Sequence, residues 1–156
     1  MPGDSLRRLV PQEAADQARI VIRADPMAVR DGLRALFDMP VLRAMPETER
    51  GVAQIVLAEA LNNIVEHAYA GGDGVIRVSL RRQRADLLCQ IEDQGAPMPG
   101  GVLPAGVPHP AAAREDLPEG GFGWHMIRAL SRNLRYRRSD GRNHLSFRLD
   151  ARRPAP

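Results

Sequence analysis

Six of the chain's 13 prolines fall between Gly95 and Gly121, interleaved with glycines and without any apolar periodicity. Proline has no backbone N–H, and its ring clashes with the preceding helical turn. Neither a helix interior nor a central strand can therefore run through this stretch. A connection of that length inside one domain is functional or disordered. The packed part of the fold must come from the two blocks on either side, which have to close on each other across the loop. Together they are enough for one core: the chain has 156 residues, the length of a single domain. Its 44% hydrophobic and 26% charged residues exclude wholesale disorder.

In the first block a polar leader precedes Ala18–Ala24, which reads as a strand. Asp25-Pro26 then supplies an N-cap and a proline for the first helical position. Val29, Leu33, Leu36 and Phe37 follow at helical spacing, and Pro40 is expected to end that helix. A longer helix is predicted from Pro46 to about Ala70, terminated by Gly71-Gly72-Asp73-Gly74. Val75–Leu80 and Leu87–Glu92 alternate in polarity about a polar turn, the pattern of an antiparallel hairpin. In the second block Trp124, Met126, Ile127 and Leu130 mark a short helix. The strands Asn133–Arg138 and His144–Asp150 follow, joined by Ser139-Asp140-Gly141-Arg142, and Ala151–Pro156 is expected to fray. No internal repeat or second-domain boundary interrupts this order. It predicts a single α+β domain over 1–156, with a core of about 15–150 and a sheet with helices on one face.

Several classes of function are excluded. No apolar run approaches the roughly 20 residues of a membrane span. The first ten residues lack the central region of a signal peptide, so a soluble, cytoplasmic protein is expected. Cys89 is the single cysteine, which rules out an intrachain disulfide and a cysteine-based zinc site. Its alternation with Leu87 and Ile91 makes it a buried strand residue. All 22 basic residues are arginine, the formal net charge is +3, and aromatic residues make up only 4%. Arginines spread along the chain with so few aromatics argue against a nucleic-acid binder.

Three segments carry chemistry. On the long helix, Leu57, Leu61, Ile64 and Ala68 form one apolar stripe at about 100° per residue, which is expected to face the sheet. Glu59, Asn63 and His67 are four apart and fall on nearly the opposite side, where Val52, Ile55 and Val56 also lie. Two readings are open: a pocket wall, or an exposed polar stripe with i,i+4 pairing. Asp93 and Gly95, at the end of a strand, could set a carboxylate at a pocket lip or make an ordinary turn. Gly121 and Gly123 open a helix, where exposed N–H groups bind anions and glycine admits phosphate oxygens closely. Glycine-rich helix starts are also common without a ligand.

Taken in order, Glu59-x-x-x-Asn63-x-x-x-His67, Asp93-x-Gly95, a long loop and Gly120-Gly121-x-Gly123 resemble the Bergerat-fold (GHKL) ATPases, the superfamily of gyrase and the histidine kinases. The phrase Glu59-Ala-Leu-Asn-Asn-Ile-Val-Glu-His-Ala-Tyr69 and the closing Asn143-x-Leu145 strand look most like the bacterial anti-sigma-factor serine/threonine kinases. The resemblance implies a two-layer sandwich, its sheet mixed but mostly antiparallel, with a flexible ATP lid at about 96–120. It implies ATP and Mg²⁺ as cofactors, with Glu59 as general base and Asn63 as metal ligand. Asp93 would accept from the adenine amine, and Gly95, Gly121 and Gly123 would belong to the nucleotide-binding glycine boxes. His67 would touch the lid or nucleotide, or cap the helix end. Arg114, in the lid, would meet a γ-phosphate or stay solvated. The usual Asp-x-Gly-x-Gly box here reads Asp93-Gln94-Gly95-Ala96-Pro97. The implied partners are a STAS-type anti-sigma antagonist and a sigma factor or other regulator, with a homodimer permitted through the first strand and helix. A nucleotide-dependent sequestration module without phosphotransfer, or a small ATP hydrolase, would share these motifs.

Overall fold

The computed structural model describes residues 12–106 and 121–152. Its strands are β1 (Gln12–Ala14), β2 (Gln17–Arg23), β3 (Val75–Gln83), β4 (Asp86–Asp93), β5 (Arg132–Ser139) and β6 (Arg142–Asp150). Its α-helices are α1 (Pro26–Phe37), α2 (Pro40–Arg43), α3 (Glu47–Asn63) and α4 (Gly121–Leu130), and α3 runs on into a π-helical turn over Ile64–Ala68. The strands form one sheet in the order β1-β2-β3-β4-β6-β5. All five described pairings are antiparallel, so the α+β reading holds but the sheet is not mixed.

The alternation seen in the sequence becomes rows across the sheet. Ile20, Val78, Ile91 and Leu145 stand in register on β2, β3, β4 and β6, and the next row inward is Ala18, Leu80, Cys89 and Phe147. All eight are buried and share one core with Val29 and Leu36 of α1, Leu57 and Leu61 of α3, and Trp124 and Ile127 of α4. The helices therefore cover one face. Cys89 is buried, and desolvation holds its thiol far above the usual range. No helix among the described residues is long and apolar enough to cross a membrane.

Local chemistry sets the element ends. Asp25 Oδ1 accepts from Ala28 N at 2.9 Å, with Pro26 in the first turn of α1. Pro40 does more than end α1, because its fixed φ opens the short helix α2. Asp140 and Gly141 have φ of 53° and 73°, the two positive angles of a tight hairpin turn between β5 and β6. Two expectations need correction. The supposed polar leader contributes β1, paired with β2. Ala151 does not fray: it is fully buried, its N–H donates to Ala85 O at 2.8 Å, and its carbonyl accepts from Arg82 Nη2 at 2.6 Å.

Candidate functional site

The helix α3 is buried on more than one side. Ala53, Val56, Leu57, Ala60 and Leu61 are all core residues, because the sheet lies on one flank and α4 on another. Asn63 shares this burial, at 5% exposed. The exposed polar stripe is therefore excluded for Asn63, and Glu59 is half-buried beside it. Of the apolar neighbours named on that side, Val56 is buried but Ile55 is exposed.

After Asn63 the hydrogen bonding slips by one residue, with Tyr69 N donating to Ile64 O at 3.0 Å. A π turn of this kind changes the angular phase of everything after it. His67 lies within this turn. It sits at the lip of the adjoining cavity, with more than half its side chain exposed and Nε2 3.9 Å from Glu66.

Asp93 ends the inward row of β4, opposite Ile76 on one side and Asn143 on the other. It is 4% exposed, and Oδ1 accepts from Gly95 N and Asn143 Nδ2, both at 2.8 Å. Burial pushes its carboxyl above the ordinary carboxylate range. The Asn143 and Gly95 hydrogen bonds and the Arg138 charge oppose that, while Glu92 adds to it. Asn143 is the hub of a network: Oδ1 accepts from Tyr136 Oη at 2.5 Å and Arg138 Nη1 at 3.1 Å, and Nδ2 also donates to Ala96 O at 2.9 Å.

The loop after Asp93 is seated by close approach. A Cβ at Gly95 would lie 2.5 Å from the Ala68 carbonyl oxygen, and the neighbouring Ala96 N donates to that oxygen at 2.7 Å. Met98 N then donates to Tyr136 Oη at 2.9 Å. Further on, Arg128 Nε donates to Pro104 O at 2.8 Å, and His125 Nδ1 lies 3.0 Å from Gly106 O. Residues 96–106, the first part of the expected lid, are thus tethered to β5 and α4. The remainder, 107–120 with Arg114, lies outside the described residues.

Gly121 is the first residue of α4, and Gly123 packs directly against α3. A Cβ at Gly123 would sit 2.5 Å from Glu59 Oε2 and 3.5 Å from Asn63 Nδ2. The first turn of α4, with its unsatisfied N–H groups, is therefore beside the Glu59 carboxylate and the Asn63 amide. Asn63 Nδ2 is buried without a hydrogen-bond partner among the described residues. Such an atom is costly unless something else satisfies it.

Asn63 also borders a cavity of about 500 Å³, bounded with it by His67, Asp93, Met98, Trp124 and Tyr136 among others, whereas Glu59, Gly95 and Gly123 are not among its lining residues. It is mostly apolar with a few polar groups, the usual build of a small-molecule site. Among the described residues no group of three or more His, Cys, Asp or Glu could hold a metal. The single amide oxygen of Asn63 instead fits a cation that keeps phosphate and water as its other ligands, as Mg²⁺ does. The sequence gives Tyr136 and Arg138 no site role, marks Trp124 only as a helix residue, and brings in Asn143 only through the closing strand of the family resemblance. A signal existed for Asn143: it takes an inward position in the alternation Asn143, Leu145, Phe147, Leu149.

The comparisons with known proteins agree with this geometry. The model of the histidine kinase-like ATPase domain matches residues 22–149. The serine/threonine-protein kinase BtrW of Bordetella bronchiseptica is 38% identical over 92 residues, which is 57% of this chain. The match spans 62% of that protein's length. The crystal structure of the RsbU and RsbW domains of Rv1364c from Mycobacterium tuberculosis superposes with a TM-score of 0.55 over 89% of this chain and 33% of that one. At 18% identity that likeness is one of fold. The family match runs from β2 to β6 and takes in every residue around the cavity, so this chain belongs to the histidine kinase-like ATPase domain family.

Proposed function

We propose that the cavity binds Mg·ATP and that the chain is a serine/threonine protein kinase of a partner-switching system, phosphorylating a STAS-type antagonist. The observation that carries this reading is Glu59, whose Oε2 lies against Gly123 at the start of α4, next to Asn63 Nδ2, which has no hydrogen-bond partner among the described residues. A module that only binds nucleotide has no use for a carboxylate at that position. The kinase named among the relatives points the same way.

Each residue then has a defined task. Asp93 keeps Oδ1 for Gly95 and Asn143, and Oδ2 makes no hydrogen bond among the described residues. That oxygen is the acceptor for the adenine amine, a choice that disfavours guanine. The N–H groups at Gly121 and Gly123 hold phosphate oxygens. Asn63 offers its amide oxygen to Mg²⁺, and His67, at the lip, contacts the nucleotide or the lid. Bound Mg·ATP supplies an activated γ-phosphoryl group and the positive charge that offsets its oxygens. Glu59 takes the proton of the attacking serine or threonine hydroxyl, whose oxygen bonds to the γ-phosphorus as the bond to the β-phosphate oxygen breaks and ADP leaves. A sigma factor or another regulator is the second partner of such a switch.

The test is to incubate the chain with Mg·ATP and each STAS-domain protein of the same genome, following phosphoprotein, ADP and free phosphate. Phosphoserine or phosphothreonine formed in step with ADP supports the kinase. Bound ATP without transfer would leave a sequestration module, and phosphate without phosphoprotein a hydrolase. Absence of nucleotide binding would overturn the reading entirely.

A further inference from the structure

The face of the sheet turned away from the helices has a chemistry of its own. Strand alternation puts nine arginines there, against the carboxylates of Asp86, Glu92 and Asp150. That excess exceeds the formal +3 of the whole chain, so the positive charge is concentrated on this face. The three acids are already engaged. Arg132 Nη2 holds Asp86 at 2.6 Å and Asp150 at 2.8 Å, Arg148 reaches Asp86 at 3.3 Å, and Arg142 reaches Glu92 at 3.1 Å. The remaining six, Arg19, Arg23, Arg77, Arg81, Arg135 and Arg137, form no ion pair or side-chain hydrogen bond among the described residues. Arg77 is half-buried and the other five are exposed.

Ordinary surfaces intersperse both signs. Here Arg19 pairs with Ser79, so Arg77 and Arg81 are its diagonal neighbours on β3, close enough for like charges to repel. A depression of about 160 Å³ lies at the same place, lined by Arg19 and Arg81 with Gln17, Ser79 and Gln90. Two guanidinium groups beside three neutral polar side chains match carboxylates, which arginine binds through two parallel N–H groups.

We propose that this open sheet face docks an acidic protein partner, one of whose carboxylate side chains enters the depression between Arg19 and Arg81. Six strands make a face about 25 Å wide, whereas a DNA major groove about 12 Å wide admits only a helix or a two-stranded ribbon. The described face has no Phe, Tyr or Trp on which single-stranded bases could stack. Its apolar side chains, Val21, Val75 and Leu88, are half-buried and offer no anchor to a lipid surface.

The experiment measures binding of the full chain to a glutamate-rich synthetic peptide, duplex DNA and phosphatidylserine vesicles at one fixed salt concentration. Arg19→Glu/Arg81→Glu is compared with Arg30→Glu/Arg34→Glu, an equal charge change on the exposed side of α1. The milder Arg19→Gln/Arg81→Gln replaces the first pair if its thermal midpoint falls. The expected result is salt-sensitive peptide binding that drops about tenfold or more on changing Arg19 and Arg81 and is retained in the α1 pair. No peptide binding, an equal loss in both pairs, or tighter binding of DNA or vesicles than of peptide would overturn the proposal. None of these readouts depends on the nucleotide cavity.

Discussion

Asp93 is a buried carboxylate that its surroundings only partly compensate, and this gives a test that separates stability from binding. Burial raises its pKa above the unfolded value, so the folded chain holds that proton more tightly than the unfolded one. Its contribution to stability is therefore greatest below that value and is lost as pH rises through the folded pKa. Asp93→Asn keeps an oxygen for Gly95 N and Asn143 Nδ2 while removing the charge. Urea unfolding of the nucleotide-free variant is expected to show unchanged or higher stability at neutral pH and a flatter acid profile. Its ATP affinity is expected to fall by about 1–3 kcal/mol, through an unmatched polar contact. Glycines divide in the same way. Gly95→Ala would force a Cβ onto the Ala68 backbone, which cannot yield, and should cost about 1–3 kcal/mol of stability by denaturant titration. Gly123→Ala would press on the Glu59 carboxylate, so its effect should appear in phosphotransfer more than in stability. Glu59, Asn63, Asp93 and the glycines were legible because residue type and spacing survive without coordinates. Tyr136 and Arg138 were not, since one tyrosine among arginines on a strand has no local signature, and its partner Asn143 is seven residues away across a turn.

At the scale of elements, the tether of the loop can be measured. Tyr136 Oη receives Met98 N–H and donates to Asn143 Oδ1, linking the loop to the Asp93 network. Tyr136→Phe is expected to lower amide-exchange protection at Met98 and its neighbours, with about 0.5–1.5 kcal/mol lost in global stability. Unchanged protection there would mean that the loop is held by Arg128 and His125 alone. The helices and hairpins were readable from periodicity and caps, with ends within a few residues of those observed. The π turn was not, because Ile64-Val65-Glu66-His67-Ala68 contains neither proline nor glycine to announce a change of phase. His67 lies within that turn, at the lip of the cavity that Asn63 also lines. The fixed φ of Pro40 makes it a start of α2 as well as a stop for α1, and β1 is too short for alternation to reveal.

For the whole molecule, alternation fixed which strand faces are buried, but the neighbour order did not follow from it. β6 lies between β4 and β5, a pairing between segments far apart in sequence whose register depends on the core row of Asp93 and Asn143. A ligand that fills the cavity at that row should stabilise the entire fold. At a hundredfold excess over its Kd, Mg·ATP is expected to add about 2.7 kcal/mol, or roughly 5–10 °C in Tm, while GTP at the same concentration adds much less. Equal shifts from the two nucleotides would remove Asp93 from base selection. The most direct test of the central claim compares wild type, Glu59→Gln and Asn63→Ala for Mg·ATP affinity and for single-turnover transfer to the antagonist. Glu59→Gln preserves shape and removes basicity, so near-normal affinity with transfer slowed by about 10²–10⁴ is expected, toward the lower end if positioning and Mg²⁺ carry most of the catalysis. Asn63→Ala should weaken Mg-dependent binding as well as transfer. Wild-type transfer by Glu59→Gln would contradict the account, because the carboxylate beside Gly123 would then have no part in the chemistry.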